Sequence, residues 1–104
     1  MRQVSVEEAR DLLASPDPPQ LLDCREPWEH ARCHIAGDVL MPLGELAEHA
    51  GDLDRARPVL VYCHHGIRSI NGAMLLEQLG FAAMSLRGGI DAWSQRIDPT
   101  VPRY

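Results

Sequence analysis

The chain has 104 residues, 45% of them hydrophobic and 24% charged, and a formal net charge of −5. That length fits one domain with a single core stable without disulfides or metal, and the ordinary composition excludes disorder. An acidic balance with no basic run longer than a pair excludes nucleic acid as the main partner, since phosphate binding needs a concentrated basic face.

The N-terminal "MRQVSVEEARDLL" lacks the uninterrupted apolar segment of a signal peptide, and no apolar run approaches membrane-spanning length. A cytoplasmic protein without a membrane segment is therefore expected. Ser5 followed by Glu8 reads as a capping box opening a helix through "VEEARDLLAS", with Leu12 and Leu13 inward. "SPDPP" ends it, because proline cannot continue a helix. "QLLDCR" predicts a short strand buried on both faces. "EPWEHA" predicts a helical turn with Pro27 early in it, and Trp28 either packs inward or lines the mouth of a site. "VLMP" predicts a further strand, and "LGELAEHAGDL" a helix with Leu43, Leu46 and Ala47 inward.

"PVLVYC" is the clearest strand, an unbroken apolar run suited to the centre of a parallel sheet. "SINGAMLLEQLG" is the clearest helix, with Ser69 as its cap, Ala73, Leu76 and Leu79 inward and Gly80 at its left-handed end. "AAMSLRGG" predicts a strand ending in a glycine pair, "IDAWSQR" a last helix, and "IDPTVPRY" a proline-rich tail. Strands alternating with helices predict an α/β domain over residues 1–104. Its central sheet is expected to be mainly parallel, of about five strands, flanked by helices. Ligands of such sheets sit at the carboxyl ends of strands, and Cys63 falls at one.

The loop "CHHGIRS" carries the chemistry. Gly66 is free to take a positive φ, and a curled chain turns its successive N–H groups inward as an anion-binding nest. The helix beginning near Ser69 adds unpaired donors and the positive end of its dipole. Cys63 at the rim of this cup is favoured as a thiolate. Arg68 adds a permanent cation, which either attracts an anion or forks to a carboxylate that holds the loop. The result is a low-pKa nucleophile for covalent catalysis beside a site shaped for a second anionic group.

Other candidates have plainer readings beside them. Asp23 and Arg25 form either a surface ion pair, with Glu29 a helical turn beyond Arg25, or a support at the mouth in which Asp23 anchors the loop. His64 and His65 follow Cys63 too closely to converge with it on one ion, so no metal is expected, and their rings should face solvent or a partner. Cys24 and Cys33 read as small core hydrophobes, although a disulfide of either with Cys63 would make a redox switch. Arg87 reads as solvated.

Four segments in this order resemble the rhodanese (thiosulfate sulfurtransferase-like) family. "LLDCREPWEH" is similar to its D-x-R segment followed by an acidic residue, and "CHIAGDVLMPL" to its H-I-x-G-A segment. "VYCHHGIRS" resembles its C-x-x-G-x-R active loop, and "GFAAMSLRGGIDAW" its closing L-x-G-G-x-x-x-W. The resemblance covers residues 3–104. It implies a single rhodanese-like domain with no cofactor, in which Cys63 takes sulfane sulfur from thiosulfate or a similar donor. The loop residues His64, His65, Gly66, Ile67, Arg68 and Ser69 would hold the resulting persulfide. A thiol, cyanide or a protein acceptor would then remove the sulfur. Phosphatases and arsenate reductases on the same scaffold have a loop one residue longer, so the six residues from Cys63 to Arg68 favour a single sulfur atom over a tetrahedral oxyanion. A relay or regulatory module with a protein acceptor stands as the alternative.

Overall fold

A computed structural model describes all of residues 1–104. Five strands run Arg2–Val4 (β1), Gln20–Asp23 (β2), Val39–Leu40 (β3), Val59–Tyr62 (β4) and Ala83–Leu86 (β5). They form one sheet in the order β1-β5-β4-β2-β3, and every pairing in it is parallel. β4 lies at the centre, and all four of its residues are buried, as an unbroken apolar strand between two helical layers must be.

Five helices cover the sheet: Val6–Leu13 (α1), Pro27–Arg32 (α2), Leu46–His49 (α3), Arg68–Gln78 (α4) and Gly89–Arg96 (α5). The strands separate two cores. Leu60, Tyr62, Met84 and Leu86 pack with α1 and α5 on one face, whereas Leu22, Val59, Val61 and Cys63 pack with α3 and α4 on the other.

Several elements differ from expectation in detail. β1 carries no sequence signal of its own; three residues find their place only by pairing with β5, where Gln3 faces Ser85. In α1 the Ser5 hydroxyl accepts from Glu8 N at 3.1 Å, but Val6 and Ala9 are the buried residues, with Leu12 and Leu13 packed at the margin. The segment 43–53 is not one helix. A 3-10 turn at Leu43–Glu45, α3, and a second 3-10 turn at Ala50–Asp52 follow one another. Ala47 is exposed in consequence, and Ala50 and Leu53 are buried instead. Gly44 and Gly51 sit in the two tight turns, where their low helix propensity breaks the regular winding. No helix is long and apolar enough to cross a membrane.

Candidate active site

The carboxyl ends of β2 and β4 lie side by side, because Asp23 pairs with Tyr62, and each strand is followed by a turn holding charge. Beyond β4, residues 63–67 curl back into α4. Gly66 takes φ +96°, and a Cβ there would lie 2.9 Å from Gly88 N and 3.1 Å from Leu86 O. Gly89 is equally constrained: a Cβ there would lie 2.4 Å from His64 O. The loop can rest directly on the start of α5 only because both positions lack a side chain. Ile90 N donates to Cys63 O at 2.9 Å and Asp91 N to His64 O at 3.1 Å, which fixes its first two residues.

Inside this curl, Gly66 N and Ser69 N donate to Cys63 Sγ at 3.1 and 3.3 Å. The Ser69 hydroxyl stands 3.4 Å from the sulfur, with Ser85 Oγ 2.7 Å behind it. When the sulfur is ionised, Ser69 donates to it and Ser85 in turn donates to Ser69. Ser69 is thus not the helix cap: α4 begins a residue earlier, and the hydroxyl serves the sulfur. Cys63 is only 1% exposed, yet its thiol is lowered to about 5. Interaction with the neighbouring Cys24 thiol contributes most. The Ser69 hydroxyl and the two N–H groups add to this and outweigh burial. At neutral pH the sulfur is a thiolate. The N–H groups of His64, His65 and Ile67 donate to no protein acceptor.

Beyond β2 the arrangement is a chain of paired ions. Asp23 and Arg25 are both fully buried, not on the surface. Arg25 Nε and Nη2 each reach an Asp23 oxygen at 2.8 Å, Nη2 also reaches Cys33 O at 2.7 Å, and Nη1 reaches Tyr104 Oη at 2.8 Å. The Tyr104 hydroxyl donates to Glu29 at 2.6 Å, and Arg68 grips both oxygens of Glu29 at 2.6 and 2.9 Å. Asp23 therefore touches Arg25 rather than the loop; the link to the loop runs through Tyr104, Glu29 and Arg68. Arg68 first, and then Tyr104, hold the Glu29 carboxyl down to about 2 although it is 4% exposed.

Tyr104 is the member that the sequence did not announce, and Glu29 was read only as a neighbour of Arg25. Glu29 had a local signal, because it accepts from Glu26 N at 3.1 Å as the third residue of α2. Tyr104 had none. Its ring stacks on His64 at 3.9 Å and 4°, so the tail folds over the loop, and His64 is covered rather than turned to solvent. Burial, with His65 beside it, lowers the pKa of His64. Its Nε2 is buried without a partner. Arg87 is exposed.

The fold also assembles two groups with donor atoms within 4.8 Å of one another, His30–His34–Asp38 and His64–His65–Asp91. Cys63 belongs to neither. Cys33 lies in the core on the other side of the sheet from Cys63, whereas Cys24 shares its cluster.

The rhodanese-like domain model matches residues 5–96. Over 93 residues the chain is 36% identical to the thiosulfate sulfurtransferase GlpE of Coxiella burnetii, a match covering 88% of this chain and 86% of that protein. It is 34% identical over 104 residues to the probable adenylyltransferase/sulfurtransferase MoeZ of Mycobacterium tuberculosis. It spans only 26% of that protein, and 38% of a rhodanese-like/PpiC protein from the chloroplast of Arabidopsis thaliana. A rhodanese-related protein from Thermoplasma volcanium superposes over the whole of both chains with a TM-score of 0.87 at 30% identity. The chain belongs to the rhodanese-like domain family.

Proposed function

We propose that this chain is a sulfurtransferase that carries sulfane sulfur on Cys63. The observation that carries the reading is the Cys63 sulfur at the head of a six-residue loop, with the N–H groups of Gly66 and Ser69 directed at it. The Cys63 thiolate attacks the outer sulfur of thiosulfate. A new S–S bond forms, the bond from that sulfur to the SO3 group breaks, and sulfite leaves with the electron pair. The persulfide then carries its charge one atom further out, toward the loop N–H groups that donate to no protein acceptor. A thiol or cyanide removes the outer sulfur in a second half-reaction. The similarity to a protein named thiosulfate sulfurtransferase supports this donor. Asp23, Arg25 and Glu29 act behind the loop as positioning residues, and a reduced cytoplasm suits three free thiols. A loop of six residues opposes the phosphatase or arsenate reductase reading.

A protein acceptor is the second reading, and the rim of the site favours it. Ile67, within the loop, is 73% exposed, and Trp28, edge-on to Tyr104 at 6.0 Å, is 63% exposed. Two large apolar groups at one mouth suit a docked protein surface better than a small ion.

Intact-mass spectrometry after thiosulfate treatment tests the proposal. Wild type should gain one sulfur atom and Cys63→Ala none. A wild type that gains nothing overturns both readings, while a loaded protein that passes sulfur poorly to small acceptors favours the second.

A further inference from the structure

Cys24 is a buried thiol to which the proposed transfer gives no covalent role. It lies one residue past Asp23, as Cys63 lies one residue past Tyr62, and those two residues are paired across β2 and β4. Cys24 N continues the ladder by donating to Tyr62 O at 3.1 Å. The two cysteines thus leave neighbouring strands at the same level. Neighbouring strands run about 4.8 Å apart, within the Cα separation of roughly 4.4–6.8 Å that a disulfide bridges. Both side chains enter the same buried cluster beneath α4.

We propose that Cys24 is a resolving nucleophile which, once Cys63 carries a transferred sulfur, displaces that sulfur as hydrosulfide and closes a Cys24–Cys63 disulfide. The inference rests on the persulfide reading above. Cys24 sulfur attacks Cys63 Sγ, the Sγ–Sγ bond forms, and the bond from Cys63 Sγ to the outer sulfur breaks. The outer sulfur leaves with the electron pair and with the proton of Cys24. It is thereby reduced to the sulfide level, while the two cysteines are oxidised to a disulfide. A cellular dithiol reductant returns both thiols by exchange. The domain then has two exits for sulfur, transfer to an acceptor or release as sulfide.

The pair is silent at rest for a physical reason. While Cys63 is a thiolate, interaction with it first, and then burial, push the Cys24 thiol up and keep its proton in place. Sulfur loading moves that charge one atom outward and turns Cys63 Sγ from nucleophile into electrophile. The same event that loads the site therefore releases Cys24 to act. Cys33, in the opposite core, has no such access.

The test uses the full chain, loaded with thiosulfate under argon without added thiol and followed by intact mass, sulfide assay and peptide mapping. Wild type should gain one sulfur, lose it with release of one equivalent of sulfide, and end two hydrogens lighter than the dithiol. The Cys24 and Cys63 peptides should then be linked. Cys24→Ser should hold its sulfur at least about ten-fold longer, and Cys33→Ser should behave as wild type. A wild-type adduct as durable as that of Cys24→Ser, or a product linked through Cys33, overturns the inference and leaves sulfur loading intact. No adduct at all overturns the sulfurtransferase reading and this one with it. If Cys24→Ser does not fold, Cys24→Val takes its place, and the wild-type peptide map decides independently of any variant.

Discussion

The two turns at the carboxyl ends of β2 and β4 are neighbours, but they handle charge in opposite ways. After β2, each charge meets its opposite: Asp23 holds Arg25, and Glu29 holds Arg68. After β4, the negative charge of Cys63 meets amide N–H groups and a hydroxyl. The cations named beside it in the sequence are engaged elsewhere. Both terminal nitrogens of Arg68 are on Glu29, and the pKa of His64 is lowered by burial. An anion held by fixed dipoles has no ion pair to break when its charge moves outward onto an incoming sulfur. The paired side supplies rigidity, and the dipolar side keeps a reactive charge.

Removing the dipole-held charge should have the largest effect. Cys63→Ser should abolish sulfur loading, with turnover from thiosulfate below roughly one part in a thousand of wild type, as read by thiocyanate formation. Breaking the paired side should be felt in stability first. Arg25→Met leaves Asp23 uncompensated in a fully buried position, which should cost about 3–5 kcal/mol in urea unfolding. A loss below about 1 kcal/mol, the range of a surface pair, would contradict its place in the core.

Gly66→Ala comes next. Alanine must adopt the φ of +96° with its Cβ against Gly88 N, at a cost of about 1–3 kcal/mol. Loading should slow more than in a Gly37→Ala control, whose φ is +88° with nothing nearby. Arg68→Ala strips two hydrogen bonds from Glu29, and with Arg68 partly exposed the cost should be about 1–2 kcal/mol. The Glu29 carboxyl is held below its ordinary value, so its stabilisation is full above the unfolded carboxylate pKa and is lost as pH falls toward about 2. The gap between wild type and Arg68→Ala should therefore be full at neutral pH and close on acidification through that window. An undiminished gap at low pH would place the effect of Arg68 elsewhere. Ser69→Ala should act least, raising the Cys63 midpoint by roughly one unit with the fold intact.

How much of this was legible in the sequence follows from how local each feature is. The loop was readable because "CHHGIRS" holds the nucleophile, the glycine and the start of α4 within seven consecutive residues. The parallel sheet was readable from the short segment 20–23 around Leu21 and Leu22 and from the apolar run 58–62. The chain from Arg25 to Arg68 was not, because its middle member, Tyr104, lies 75 residues from Glu29 and 79 from Arg25. Nothing in "VPRY" signals a phenol that accepts from one buried ion and donates to another. Of the two roles read for Arg68, the fork to a carboxylate is the one its geometry shows, and which carboxylate it grips was not legible because the partner is 39 residues away. β1 was missed because three residues of mixed polarity acquire meaning only against β5.

The central claim is that Cys63 is held ionised in its loop by the groups that surround its sulfur, Gly66 N and Ser69 N among them. Thiolate absorbance, recorded against pH as the difference between wild type and Cys63→Ser, tests it most directly. The account predicts a midpoint near about 5. A midpoint near that of a free cysteine, about 8.5, would contradict it.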